Sequence, residues 1–238
     1  TYIVPTMMIR LLKLPKEVKE KYDISSLKFG ISSGSAWPAD VKKAMIDWFG
    51  PIFYESYGAS EIGFMTLISS EEAIKKPGSV GKILSGGSIK ILDDDKHELA
   101  VGESGSIYVY LHMFVHFAYT NSAKNESDER YQGHTTVGDI GYVDAQGYLY
   151  INDRKKDMII SGGANIFPAE IEAAMVKMPQ ILDCAVFGIA DKEFGEKVVA
   201  AVTCQVGHSL SLQQVHAFLD GKISRFKYPR QLDLHDSL

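Results

Sequence analysis

The sequence predicts an α/β protein, and three patterns predict it. The stretch "LKFGISSGSAWPADVKKAMIDWFGPIFYESYGASE" runs strand, small-residue turn, helix and strand, the order of a parallel α/β unit. From Pro77 onward short apolar runs alternate with polar residues and are divided by Gly, Asp and Lys, which predicts antiparallel strands joined by tight turns. After "NDRKKD" the order becomes strand, helix, strand, strand, helix, a small α+β unit with helices on one face of a sheet.

Each element has its own local reason. The opening "PTMMIRLLKLPKEVKEKYD" repeats apolar residues at helical spacing but is interrupted by Pro15, so two short helices, or a helix and a turn, are expected. The helix entered at Pro38 places Val41, Ala44, Met45, Trp48 and Phe49 on its apolar side. "SVGKI", "GSIKIL", "SGSIYVYL" and "IGYV" read as strands, and "DAQG" before "YLYI" reads as a hairpin connection with Gly147 free to take positive φ. The polar "TNSAKNESDERYQG" is expected to be a long mobile loop. In the last unit "MII", "ILDCAVFGI" and "KVVAAVTCQV" are strands, while "PAEIEAAMVKM" and "SLQQVHAFLDGKI" are helices, the second bent or ended near Gly221. The charged "NDRKKD" suits a linker between units.

Composition bounds the function. At 238 residues and 45% apolar the chain can bury a sizeable core, as one large domain or two smaller ones. A net charge of -5 with both signs interspersed gives no reason to expect nucleic acid, though a local basic patch can hold a phosphate or nucleotide. Cys184 and Cys204 each lie in an apolar run and read as small buried hydrophobes in a reducing compartment. No apolar run reaches bilayer-spanning length and no secretory signal opens the chain, so a cytoplasmic protein is expected. His112 and His116 are four apart but lack the glutamate and third ligand of a zinc site, so a metal is not expected there.

Several short motifs can carry chemistry, each with a plainer alternative. "SSGSAWP" and "SGGAN" can bring backbone close to a ligand or can be ordinary tight turns; neither matches a phosphate loop or dinucleotide fingerprint. In "YGASE" a ring can cover a planar base, the Ser60 hydroxyl can donate to phosphate, and the Glu61 carboxylate can hold Mg²⁺. The same residues also suit a surface turn. Asp139 in "VGDIGYVD" can accept the hydroxyls of a ribose, and Arg154, with Lys155 and Lys156, can face ribose oxygens or phosphate, or can belong to a solvated charge run.

Taken in order, these motifs resemble the adenylate-forming enzymes, and most closely the AMP-forming acyl-CoA synthetases. "YDISSLKFGISSGSAWP" resembles the family's strand and adenine-side turn, and "YESYGASE" is similar to its "YGxTE", with Ser60 in place of threonine. "KKPGSVGKI" and "ILDDDKHELAVGESGSIYV" follow its glycine punctuation. The run "TTVGDIGYVDAQGYLYINDRKKDMIISGGANIFPAEIE" carries "GD", hairpin, "DR" and glycine pair in the expected order. The resemblance extends over essentially the whole chain.

The resemblance implies a fold and a set of roles. Residues 1–76 would be the end of a large α/β domain, 77–153 a β-barrel-like subdomain, 154–157 a hinge and 158–238 an incomplete lid domain. Gly34, Ser35 and Ala36 would line the nucleotide pocket. Tyr57 would stack near the adenine, with Gly58 shaping that turn; Ser60 would contact phosphate and Glu61 would hold Mg²⁺. Asp139 would grip the ribose hydroxyls, Arg154 would contact the ribose side of the adenylate, and Lys156 would be the pivot. Gly162 and Gly163 would pass the pantetheine arm of coenzyme A. Substrates would be ATP, coenzyme A and a carboxylic acid, with a fatty or other hydrophobic acid favoured. A carrier-protein phosphopantetheine or an amine as acceptor, and a non-catalytic interaction module, are the competing readings. Val137 stands where the family usually has threonine. The family's phosphate loop would lie upstream of Thr1 and its catalytic lysine beyond Leu238, which implies a fragment inactive by itself.

Overall fold

Pro5 fixes φ at the first turn of α1 (Pro5–Leu12), and Pro15 separates it from α2 (Lys16–Glu20), the interruption expected from the sequence. The computed structural model describes residues 1–35, 37–113 and 130–238. Ala36, His116 and most of the loop expected over 120–133 therefore lie outside the described residues. The chain divides into two compact units, Thr1–Ile151 and Asn152–Leu238.

In the first unit β1 (Gly30–Ser32), α3 (Ala39–Phe49) and β2 (Phe53–Glu55) form the expected parallel unit, with Ser32 paired to Glu55. The hairpin β3 (Gly58–Ala59) and β4 (Gly63–Phe64) follows, then β5 (Thr66–Ser69) and α4 (Ser70–Lys75). A reciprocal capping box starts α4: Ser69 Oγ accepts the Glu72 N–H, and the Glu72 carboxylate accepts the Ser69 N–H. The strands β6 (Ser79–Ile83), β7 (Gly87–Leu92), β8 (Gly105–Leu111), β9 (Arg130–Tyr131), β10 (His134–Thr135), β11 (Asp139–Val143) and β12 (Leu149–Arg154) complete the large sheet. Gly147 in the β11–β12 turn has φ +83°, as its hairpin position requires.

The barrel expected over 77–153 is not formed. Among the described residues no sheet closes on itself; ten strands make one open sheet in the order β1-β2-β5-β6-β12-β11-β8-β10-β9, with β7 on β8. Closure needs the first and last strands to hydrogen-bond to each other. Here β6 pairs antiparallel with β5, so the edge that closure would need is joined to the preceding α/β segment. Two apolar clusters pack this unit. Met8, Trp37, Met45 and Phe53 gather between α1, α3 and β2, while Ile62, Met65, Ile107 and Leu149 gather on the larger part of the sheet.

The second unit contains β13 (Ile159–Ser161), β14 (Ala164–Ile166), α5 (Pro168–Met175), β15 (Ile181–Asp191), β16 (Gly195–Cys204), α6 (Leu212–Leu219) and β17 (Gln231–His235). Its mainly antiparallel sheet has the order β14-β13-β16-β15, with β17 parallel to β16. Ile171 and Met175 of α5 and Val215 and Leu219 of α6 pack with Ile159, Val186, Val198 and Val202 of the sheet, so the helices share one apolar face. The strands β14 and β17 add to the predicted order; each is short and mixed in polarity, which leaves little alternation to read. Among the described residues no helix is long and apolar enough to cross a membrane.

Candidate functional site

Parallel pairing of β1 and β2 sends both chains out of the same end of the sheet, so the segment from Ser33 to Ser35 and the segment Ser56-Tyr57-Gly58 leave side by side. The Ser56 N–H donates to the Ser32 carbonyl at 2.9 Å and ties the two exits together. Gly34 is exposed with φ +93°, and a Cβ built there would meet nothing nearer than the Tyr2 hydroxyl at 3.9 Å. A ligand can approach this backbone closely. Ser35 is exposed beside it.

Tyr57 is held by its backbone at both sides. Its N–H donates to Thr66 Oγ1 at 3.2 Å, and its carbonyl accepts the Met65 N–H at 2.8 Å. Its phenol donates to Asp139 Oδ2 at 2.7 Å. Asp139, 9% exposed, is the first residue of β11 and follows Gly138, whose φ is +88° and whose Cα faces open space. The Gly138 N–H donates to Thr136 Oγ1 at 3.1 Å, while Val137, between them, packs on the apolar cluster of the large sheet. Gly58 starts the β3–β4 hairpin, where a Cβ would collide with the Gly63 carbonyl. Ser60 is exposed and Glu61 half-buried in the turn of that hairpin. Tyr57, Asp139 and their neighbouring glycines therefore form one constellation, drawn from segments 82 residues apart.

The second unit carries the other candidates. Arg154 ends β12, is exposed, and donates its N–H to Asp153 Oδ1 at 2.8 Å. Lys155 and Lys156 are exposed in the turn that follows, closed by the Asp157 N–H donating to the Arg154 carbonyl at 3.1 Å. Gly162 and Gly163 form the β13–β14 turn with φ +59° and +80°, both exposed, and the Gly162 N–H donates to Phe194 O at 2.8 Å. Asp153 also accepts the Ala169 N–H at 2.9 Å, capping α5, whose own N-cap residue Phe167 has no polar side chain.

Three features were not anticipated from sequence. Asp153 as a helix cap is one. The Lys42–Glu55 ion pair, buried between α3 and β2, is the second. Its signal was available: Lys42 lies three residues before Met45 on the buried stripe, and Glu55 shares the inward parity of Phe53. The third is Thr66, whose hydroxyl accepts from Tyr57 and donates to the Val80 carbonyl at 2.6 Å.

Other groups stand apart from these residues. Cys184 is a half-buried free thiol pushed up to about 12 by burial, then by Glu172 and Asp183, and so is unsuited to nucleophilic attack. Among the described residues Asp93, Asp95 and His97 lie close enough to share a cation, but none of them belongs to the constellation. A cavity of about 300 Å³ lined by Ile83, Ile91, Leu99 and Val143 likewise includes none of the candidate residues.

Residues 1–113 match the AMP-binding enzyme family, and residues 170–238 match the AMP-binding enzyme C-terminal domain. The chain belongs to the AMP-binding enzyme family. Within it, an uncharacterized acyl-CoA ligase of Bacillus subtilis, YhfT, is 35% identical over the whole chain and 46% of its own length. The indoleacetate-CoA ligase of Aromatoleum aromaticum is 33% identical, again over the whole chain and 46% of its length. The solved o-succinylbenzoate CoA synthetase of Bacillus subtilis, in complex with its acyl-adenylate intermediate, superposes with TM-score 0.87 at 28% identity, covering all of this chain and 47% of that one. The chain thus spans about half the length of the AMP-binding enzymes it matches.

Proposed function

We propose that this chain forms part of an AMP-forming acyl-CoA synthetase, which joins a carboxylic acid to ATP as an acyl-adenylate and passes the acyl group to the coenzyme A thiol. The hydrogen bond from Tyr57 to Asp139 carries the reading, because it couples the adenine-side ring to the ribose-side carboxylate. Within this reading residues 1–76 belong to the nucleotide-binding domain, 154–157 to a hinge and 158–238 to a lid.

The residues fit the groups assigned to them. Gly34 and Gly138 leave open space beside their backbones, where a nucleotide can lie close. Asp139, aimed by Tyr57, accepts the ribose hydroxyls, and the Tyr57 ring covers the base. Ser60, exposed in the hairpin turn, donates to phosphate. Glu61 is a hard carboxylate donor of the type Mg²⁺ takes alongside phosphate oxygens, and bound Mg²⁺ would neutralise charge there. Arg154 offers its fork of donors to ribose or phosphate oxygens. The exposed turn at Gly162 and Gly163 has no side chains to obstruct a thin pantetheine arm. Holding acid, nucleotide and thiol in one orientation converts encounters into positioned reactions. Two free thiols suit a reducing, cytoplasmic setting. A fatty or other hydrophobic acid is the favoured acyl substrate.

The test is AMP release by the whole protein with a panel of carboxylic acids, with and without coenzyme A. Acid-dependent AMP formation with acyl-CoA as product is expected. Adenylate formation with no acyl-CoA, but with a thioester on carrier protein or an amide, would reassign the acceptor; a folded protein forming no adenylate would end the reading.

A further inference from the structure

Between β2 and β3 the chain crosses Ser56 and Tyr57, which belong to neither strand, so their backbone groups must find partners outside a ladder. Met65 and Thr66 supply several. The Tyr57 carbonyl accepts the Met65 N–H at 2.8 Å and the Thr66 N–H at 3.2 Å, and Ser56 Oγ donates to the Thr66 carbonyl at 2.8 Å. A further bond in this lock uses a side chain of β5: the Tyr57 N–H donates to Thr66 Oγ1 at 3.2 Å. Thr66 is fully buried, and its hydroxyl in turn donates to the Val80 carbonyl of β6 at 2.6 Å. A hydroxyl donates one hydrogen bond and accepts others, so a single atom serves both neighbours.

The sheet order β6-β12-β11 puts the Val80 strand two places from β11, which begins with Asp139. Tyr57 is thus fastened to one sheet twice, by its N–H through Thr66 to β6 and by its phenol to Asp139 on β11. We infer that Thr66 is a positioning residue: its hydroxyl, by bridging the Tyr57 N–H to β6, sets where the Tyr57 phenol meets Asp139 and so how tightly an adenosine nucleotide is held. The inference rests on the proposed nucleotide site. Valine has the shape of threonine without the hydroxyl, and in its place the Tyr57 N–H loses this acceptor and the Val80 carbonyl this donor. Serine keeps the hydroxyl and gives up only a methyl group.

Calorimetric titration of the whole protein with AMP tests the inference. Thr66→Val is expected to bind AMP about tenfold more weakly, and Thr66→Ser within about twofold of wild type. A cycle with Tyr57→Phe, which keeps the ring but removes the hydroxyl that reaches Asp139, separates positioning from stability. In that background Thr66→Val is expected to weaken AMP binding no more than about twofold further, whereas a purely structural loss would not depend on the Tyr57 hydroxyl. Wild-type affinity in Thr66→Val, an equal loss in Thr66→Ser, or a further loss of about tenfold on top of Tyr57→Phe overturns the inference. Should Thr66→Val fail to fold, Thr66→Ser decides: affinity kept supports the inference, and a loss of about tenfold in folded protein overturns it. A wild-type protein that binds no AMP overturns the proposed function and this inference together, whereas loss of the inference alone leaves wild-type AMP binding intact.

Discussion

Tyr57 Oη donates to Asp139 Oδ2 at 2.7 Å, so a side chain at the exit of the parallel α/β unit aims a carboxylate at the start of β11. A hydrogen bond to a charged group is worth about 1.5–3 kcal/mol. Tyr57→Phe is therefore expected to weaken AMP binding about tenfold or more with little change in fold. Asp139→Ala should abolish discrimination between AMP and its 2′,3′-dideoxy analogue, read by calorimetry. Undiminished discrimination would remove Asp139 from the ribose site.

Gly58 has no room for a side chain, because a Cβ would collide with the Gly63 carbonyl across the β3–β4 hairpin. Gly58→Ala must shift that hairpin, at a cost of about 1–3 kcal/mol. Both the urea midpoint and AMP affinity should fall, since Ser60 and Glu61 sit in the displaced turn. An unchanged midpoint would show that the hairpin gives way freely.

Glu172 of α5 accepts the Val186 N–H at 2.7 Å, yet its carboxyl is raised above the ordinary 4.5 by burial and then by Asp153, Asp183 and Asp157, against that hydrogen bond. A folded-state value above the unfolded one means the group favours folding below the unfolded value and loses that contribution as pH rises through the folded value. Glu172→Gln keeps an acceptor for Val186 and removes the charge. The variant should be more stable than wild type at pH 7, with the gap closing below about pH 4.5. Urea midpoints from pH 4 to 8 measure this, and a gap independent of pH would contradict it.

Lys156 lies in the exposed turn after β12, at the proposed pivot. Proline there freezes φ near -65°. Lys156→Pro in the whole protein should slow thioester formation at least tenfold more than adenylate formation. Pyrophosphate exchange and acyl-CoA release measure the two separately; equal loss in both would place the pivot elsewhere.

The candidate constellation was legible in part, and the division follows the range of the interactions. Pro5 and Pro168 mark helix starts and Gly147 marks its turn, because backbone restrictions act within a few residues. The motifs around Tyr57 and Asp139 could be located separately. Their hydrogen bond could not be read, since nothing local relates two segments 82 residues apart. Lys42 and Glu55 show the same limit from another side: each breaks an apolar pattern alone, and each is explained by the other only once α3 lies against β2.

By itself the sequence determined the longer strands and the helices α1, α3, α5 and α6, for these rest on local backbone preference and periodic burial, and its ordered motifs carried the family resemblance; α4, the β3–β4 hairpin, β14 and β17 were too short to be read from it. Tertiary structure decided that the middle strands join the α/β segment in one open sheet rather than closing into a barrel, because β6 spends its edge on β5. It also decided that Asp139 meets Tyr57 and that Lys42 and Glu55 are buried as an ion pair between α3 and β2. Pairing of strand edges and partnering of buried polar groups are long-range choices, made when the core forms.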